Sequence, residues 1–275
     1  MATPSELYKA GKLKEAIEAQ IQEVRNHPGD NTRRLFLYEL LLFTGDLDRA
    51  QRQIDAMNYT EPEMIAALGI YKDLISSERM RRKVFKEAEK PKFLAAPSEH
   101  INLRLEAVQA LRQGKSDEAG AILARAAAAT PPSAGTLNGQ KFSAFHDVDD
   151  LFGGVLEVLH NGQYYWVPFE NLVRITVAPP KYPRDLYALP VEMELTSGET
   201  GDVLVPALYP FSYDSNDSNV QIGYTTDLRE IGHGMTLALG LRTYFADDNT
   251  LSLVEWQELV LDHPEPPTTP ATEEA

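Results

Sequence analysis

LLFTGDLDRA, residues 41–50, sets a glycine inside a run of residues that otherwise suit a helix. Glycine in a helix interior costs about 1 kcal/mol relative to alanine, so Gly45 marks a break. The same spacing, Gly–four residues–Ala, recurs on either side. It joins Gly11 to Ala16 in GKLKEA, Gly45 to Ala50 in GDLDRA, and Gly114 to Ala119 in GKSDEA. The first two glycines are 34 residues apart and the second and third 69, close to two further steps of the same length. A proline follows each alanine after twelve residues, at Pro28, Pro62 and Pro131.

A period of 34 is that of tetratricopeptide repeats, pairs of antiparallel helices stacked into a solenoid. Glycine at the turn lets the chain reverse between the two helices of a pair. Alanine one turn into the second helix allows close helix approach, and proline ends the unit because it cannot continue a helix. Ile17, Ile21 and Val24, then Ile54 and Met57, then Ile122 and Leu123 fall at helical spacing. The repeats are degenerate: Tyr38 stands where such units carry a small residue, and 63–113 is not a clean copy. That stretch reads as a helix over 63–88, a loop around EKPKFLAAP and a helix over 98–112. The long helix carries Arg79, Arg81, Arg82, Lys83 and Lys86. A solvated face with intrahelical pairs to Glu78 and Glu87 is the favoured reading of this cluster, docking onto an acidic surface the other.

Beyond ATPPSAGTLNGQKF the period changes. Proline, glycine, serine and asparagine mark a linker at about 130–141. GGVLEVLH and QYYWVPF flank Asn161-Gly162 and read as a hairpin. LVRITVA reads as a strand, PVEMELT and GDVLVPALY flank SGETG, and MTLALGLRTYFA and LSLVEWQELVL flank DDNT. The expected fold is α+β in two domains. Tetratricopeptide-like helical repeats over 1–133 precede a mainly antiparallel β-rich domain over 142–263, and an acidic tail over 264–275 is expected to be disordered.

Charge divides along the same line. Residues 1–135 hold 20 Lys and Arg against 19 Asp and Glu; the remainder holds 6 against 22, within an overall net charge of −15. The acidic half repels nucleic acid and anionic membranes. With no cysteine, disulfides, thiolate metal sites and cysteine nucleophiles are excluded. The N-terminus lacks the apolar core of a signal peptide and no apolar run approaches about 18 residues, so a cytoplasmic location is expected.

Little in the sequence points to catalysis. FHDVDD groups His146, Asp147, Asp149 and Asp150, which raises a metal-dependent enzyme or regulator as the alternative function. The spacing is not that of a calcium loop, and hydrogen-bonded turn carboxylates are the favoured reading. DSNDSN, Asp214–Asn219, reads as a polar loop. The glycines at 232, 234 and 240 lack dinucleotide-binding spacing, and no GxxxxGK[ST], HExxH or GxSxG motif occurs. No enzyme activity and no cofactor are expected. In the strand over 163–169, Tyr164 and Trp166 face one side and Tyr165 the other, with burial of one face favoured over a ligand platform.

DVDDLFGGVLEVLHNGQYYWVPFENLVRITVAPPKYPRDLYALPVEMEL, together with VLVPALYP, resembles the ImpE/TagJ family of type VI secretion accessory proteins. YYWVPFENL (Tyr164–Leu172) and RDLYALP (Arg184–Pro190) are its most specific elements, and the similarity runs from about Phe142 to Leu261. Tyr164, Tyr165, Trp166, Pro168, Phe169 and Glu170 are taken as structural markers of the family. One departure lies in DLFGG, where many relatives are expected to carry a proline near Gly154. The resemblance implies a cytoplasmic, non-enzymatic adaptor that binds an N-terminal helical segment of the small contractile-sheath subunit. It also implies a link between the sheath and its recycling ATPase. Stacked helix pairs offer a concave surface for such a helix. Repeat register places Leu35, Glu39 and Leu42 on that surface in one repeat, and Arg104 and Val108 in the last. The cleft between the two domains is an equally good location.

Overall fold

Gly11, Gly45 and Gly114 each adopt a left-handed conformation, with φ of +75°, +71° and +73°. Each closes the turn of a helix pair in the computed structural model, which describes residues 2–263. The pairs are α1 (Pro4–Lys9) with α2 (Leu13–Asn26), α3 (Asn31–Phe43) with α4 (Leu47–Asp55), and α6 (Glu99–Arg112) with α7 (Ser116–Ala129). Ala16, Ala50 and Ala119 are completely buried, as the close approach of paired helices requires. Asp30 and Asp46 cap α3 and α4 by accepting the N–H groups of Arg33 and Arg49, which satisfies donors the helix itself leaves free. Pro28 and Pro131 lie just beyond α2 and α7. Pro62 instead opens the 25-residue α5 (Pro62–Lys86), where its missing N–H is no loss.

The second half is built on antiparallel strands. They are β1 (Gly135–Leu137), β2 (Gln140–Phe142), β3 (Phe145–Asp147), β4 (Val155–His160), β5 (Gln163–Pro168), β6 (Leu172–Val177) and β7 (Ala188–Leu195). There follow β8 (Thr200–Pro206), a short helix α8 (Ser218–Gln221), β9 (Thr226–Gly232), β10 (Met235–Gly240), β11 (Thr243–Ala246), β12 (Asn249–Ser252) and β13 (Glu258–Leu261). An eight-stranded sheet runs in the order β2-β1-β13-β6-β7-β8-β4-β5; a second sheet is β12-β11-β3, and β9-β10 is a separate hairpin. β7 alternates buried and exposed residues from Leu189 onward, the pattern of a sheet with one face packed and one in solvent.

Two apolar clusters hold these layers. One packs Phe145, Tyr244 and Trp256 beneath the eight-stranded sheet. The other is shared: α3, α5 and α6 contribute Phe43, Ile75, Phe85 and Ile101, while the second half contributes Phe152, Tyr164, Trp166 and Tyr209. The edge of β5 is met by the loop after α5, where the Lys92 N–H donates to the Tyr164 carbonyl and the Lys92 carbonyl accepts from Trp166.

Three expectations require correction. The stretch 130–141 is not a plain linker, because Asn138-Gly139 turns β1 back into β2 within it. MTLALGLRTYFA is two strands in different sheets, β10 and β11, broken at Gly240, whose N–H is captured by Ser212 Oγ. LSLVEWQELVL likewise divides into β12 and β13 around a turn at Leu253–Glu255. The tail expected over 264–275 lies outside the described residues.

Candidate functional site: a cleft between the helices and a β-hairpin

The side of the repeats that would face a partner helix is filled by the chain's own second half. A turn over Pro183–Leu186 packs on α3, and Tyr187 meets the Phe43 ring edge-on at 5.7 Å. Leu35 is half-buried, whereas Glu39 and Leu42 are buried. Glu39 keeps one carboxylate oxygen without a hydrogen-bond partner. Burial raises its pKa to about 7, with Arg184 opposing the rise and Asp185 adding to it. Arg104 is buried as well. Its guanidinium donates to the carbonyls of Asp150 and Leu151 and to Thr130 Oγ1, and burial lowers its pKa to about 10. It ties α6 to the turn after β3.

The basic cluster on α5 departs from the solvated-face reading at Arg81. Arg81 is buried and donates from Nε and Nη2 to the two oxygens of Glu157 on β4, both at 2.7 Å. Arg82 pairs with Glu78 at 3.0 Å and lies 4.1 Å over the Tyr213 ring, while Arg79 reaches Asp48. Arg81 thus docks on the second half, because a buried guanidinium is tolerable only beside a carboxylate with its donors satisfied. The Arg82–Glu78 pair is intrahelical as expected, Arg79 turns to α4, and Lys83 and Lys86 stay exposed.

Glu157 is the centre of a larger network. It also accepts from Arg242 and from the Tyr164 hydroxyl, which in turn accepts from Trp166 Nε1. Arg242 continues to Asp147 at 2.7 Å, and Asp147 accepts from the Tyr209 hydroxyl. Burial would raise the Glu157 pKa, but Arg81 and Arg242 outweigh it and hold the carboxyl below its usual range. Tyr164 and Trp166 are thus buried on the helix-facing side, and Tyr165 is half-buried against the other cluster. Phe169 packs 5.3 Å from Phe145, Pro168 is buried, and Glu170 accepts from Ser98 and pairs with His100 Nε2 at 2.8 Å.

FHDVDD serves this framework. Asp147 Oδ1 accepts the Asp149 N–H, and the oxygens of Asp149 accept the N–H groups of Leu151 and Ala238. Asp150 exchanges two bonds with Thr236: its N–H donates to the Thr236 carbonyl, and its carboxylate accepts the Thr236 N–H. The carboxylates are therefore engaged by protein donors, as turn carboxylates are. No grouping of three or more His, Asp or Glu side chains able to share a metal ion occurs among the described residues. Burial raises the pKa of both Asp147 and Asp149, and Asp147 adds to the rise at Asp149.

The clamp on β10 forms one wall of a cleft of about 600 Å³. Phe85, Val108 and Leu111 line it from the helices, Phe152 and Phe211 from below, and Leu237 and Leu239 from β10. Leu228 on β9 stands at its lip, 54% exposed. Of the five register-derived residues, Val108 lines this cleft and, like Glu39, Leu42 and Arg104, is buried. β9 and its part in the cleft escaped sequence reading, because TDLREIG is more polar than apolar and carries no alternation. Glu157, between Leu156 and Val158, and Arg242, after LGL, carry a legible signal in retrospect: single charges in apolar strands that must find each other.

Three similarities bear on identity. The sequence pattern of a family described as ImpE protein matches residues 139–260. The type VI secretion system accessory component TagJ of Pseudomonas aeruginosa is 32% identical over 254 residues, 92% of this chain and 89% of TagJ. A Vibrio parahaemolyticus protein of known crystal structure shares the fold with a TM-score of 0.86 at 20% identity, covering 95% of this chain and 98% of that one.

Proposed function

The chain belongs to the ImpE/TagJ family of type VI secretion accessory components, and on that premise we propose that it is a non-enzymatic adaptor. In this reading it acts in the cytoplasm, binds an N-terminal helical segment of the small contractile-sheath subunit, and thereby links the sheath to its recycling ATPase. The cleft between α5–α7 and the β9–β10 hairpin carries the reading. It is lined mainly by aliphatic and aromatic side chains, the surface an amphipathic helix uses to bury its apolar stripe. Its walls are fixed: the Arg81–Glu157 pair joins α5 to the sheet, and Asp149 and Asp150 hold β10. A preformed groove spares the partner the cost of ordering it. The filled inner side of the repeats leaves this cleft as the better seat for a helix.

Calorimetry with a synthetic N-terminal helix of the cognate small sheath subunit tests the reading. Micromolar or tighter binding is expected, weakened at least tenfold by Leu228→Asp, an exposed position whose change spares the core. Absence of heat at high concentration of both components would overturn it.

A further inference from the structure

A second groove lies farther toward the N-terminus of α5, between that helix and residues of β4, β7 and β8. It has a volume of about 280 Å³ and an apolar floor of Leu74, Leu159, Ala188 and Leu204, with Pro190 and Ile70 at its edges. Ile70 is 57% exposed, and Met64 and Ile65 are also exposed nearer the start of α5. A large exposed apolar side chain at the edge of an apolar groove marks an interaction surface better than one standing alone.

The charge beside this groove is uncompensated. Asp73 and Asp202 line it. Asp202 lies directly across from Glu192 in the β7–β8 register, Glu192 lies across from Thr176, and Thr176 from Glu258. Residues so placed have Cβ atoms roughly 5 Å apart, and like charges there oppose sheet formation. Among the described residues neither Asp202, Glu192 nor Asp73 has an ion-pair partner, while Glu194 and Glu258 share Arg174 at 3.8 and 3.9 Å. The cation at the groove, Arg184, is already committed: it lies 4.5 Å over the Tyr71 ring and 3.3 Å from Asp185. His160 is also at the rim, bonded to Asn161.

We infer that this groove docks a basic segment of a partner polypeptide, distinct from the helix held in the cleft. An apolar side chain of that segment seats between Ile70 and Pro190, and its Lys or Arg residues lie along Asp202 and Glu192. Complementary charge of this kind steers encounter and fixes register, and it relieves the like-charge contact across β7 and β8. The inference stands without the sheath-helix reading, since the two surfaces share no lining residue.

The test uses overlapping short peptides tiled across the cognate type VI secretion components, probed with the labelled full chain. The strongest binder is then measured by fluorescence anisotropy. Peptides joining an apolar side chain to Lys or Arg are expected to bind. Affinity is expected to fall at least tenfold with Ile70→Glu and with the Glu192→Lys, Asp202→Lys pair, and to be unchanged by Leu228→Asp. All of these positions are exposed, and thermal melts verify that each variant is folded. No binding peptide, binders without basic residues, or binding indifferent to the groove variants would overturn the inference. So would sedimentation showing that the groove joins two copies of this chain and that Ile70→Glu separates them.

Discussion

Arg81 and Glu157, 76 residues apart in sequence, meet in a two-pronged ion pair with both bonds at 2.7 Å and both side chains buried. Arg81 also donates to the Leu208 carbonyl. The repeats and the sheet are therefore joined through a charged contact as well as an apolar one. Removing water from both ions carries a large penalty, which their attraction offsets only with such geometry. The pair's value lies in specifying how α5 meets β4, since either partner alone is strongly disfavoured in that position.

Arg81→Ala is accordingly expected to destabilise the protein by about 3–5 kcal/mol, because among the described residues Glu157 then keeps Arg242 alone as a cationic partner. Replacing Arg81 and Glu157 together by Met and Leu is expected to cost less than the sum of the two single changes. Urea unfolding of the four proteins in the double-mutant cycle gives the coupling directly. Additive costs would show that the pair is not coupled.

The repeat glycines are equivalent in sequence but not in surroundings. A Cβ on Gly114 meets nothing within 4 Å, so Gly114→Ala is expected to cost only the left-handed backbone, about 1–2 kcal/mol. A Cβ on Gly45 would lie 2.6 Å from Tyr213 Cδ2, a ring already held by Arg82. Gly45→Ala is therefore expected to cost about 1–3 kcal/mol more. Comparison of the two denaturant midpoints checks the order.

The contrast shows what local sequence can and cannot reveal. The spacing Gly45–Ala50–Pro62 encodes a turn, a close helix contact and a helix start, all satisfied within a few residues. Asn161-Gly162 does the same for the β4–β5 hairpin. By contrast, Tyr213 against Gly45 and Glu157 against Arg81 are contacts between distant segments, and no periodicity encodes them. Glu39 and Arg104 follow the correct helical register yet are buried, since register fixes which face a residue occupies but not what covers that face. Val108 is buried as well, but contributes to the lining of the cleft. The polar composition of TDLREIG hid the strand that completes that cleft.

Glu39 makes stability depend on pH in a definite direction. Its folded pKa of about 7 lies above the ordinary 4.5, mainly through burial, so the folded state binds the proton more tightly than the unfolded state. Its contribution is most favourable below the unfolded pKa and is lost as pH rises through the folded one. Glu39→Gln removes this dependence. The variant is expected to gain stability over the parent between pH 5 and pH 8, by on the order of 2 kcal/mol. Paired urea titrations across that range measure the difference, and a gain of equal size at both ends would contradict the assignment.

Asp150 connects the acidic turn to β10. Its carboxylate accepts the Thr236 N–H at 2.6 Å while its own N–H donates to the Thr236 carbonyl. Asp150→Ala removes the charge-assisted bond, worth about 1.5–3 kcal/mol, and leaves the backbone bond in place. Because among the described residues the β9–β10 hairpin has no other strand in its sheet, the loss is expected to loosen that hairpin more than the core. Hydrogen exchange should therefore quicken at β10 amides while β4 and β7 amides change little. If the cleft seats the partner helix, the same variant should bind it more weakly, because a wall that must be ordered on binding subtracts from affinity. Quickened exchange with unchanged affinity would place the helix elsewhere and leave the clamp purely structural.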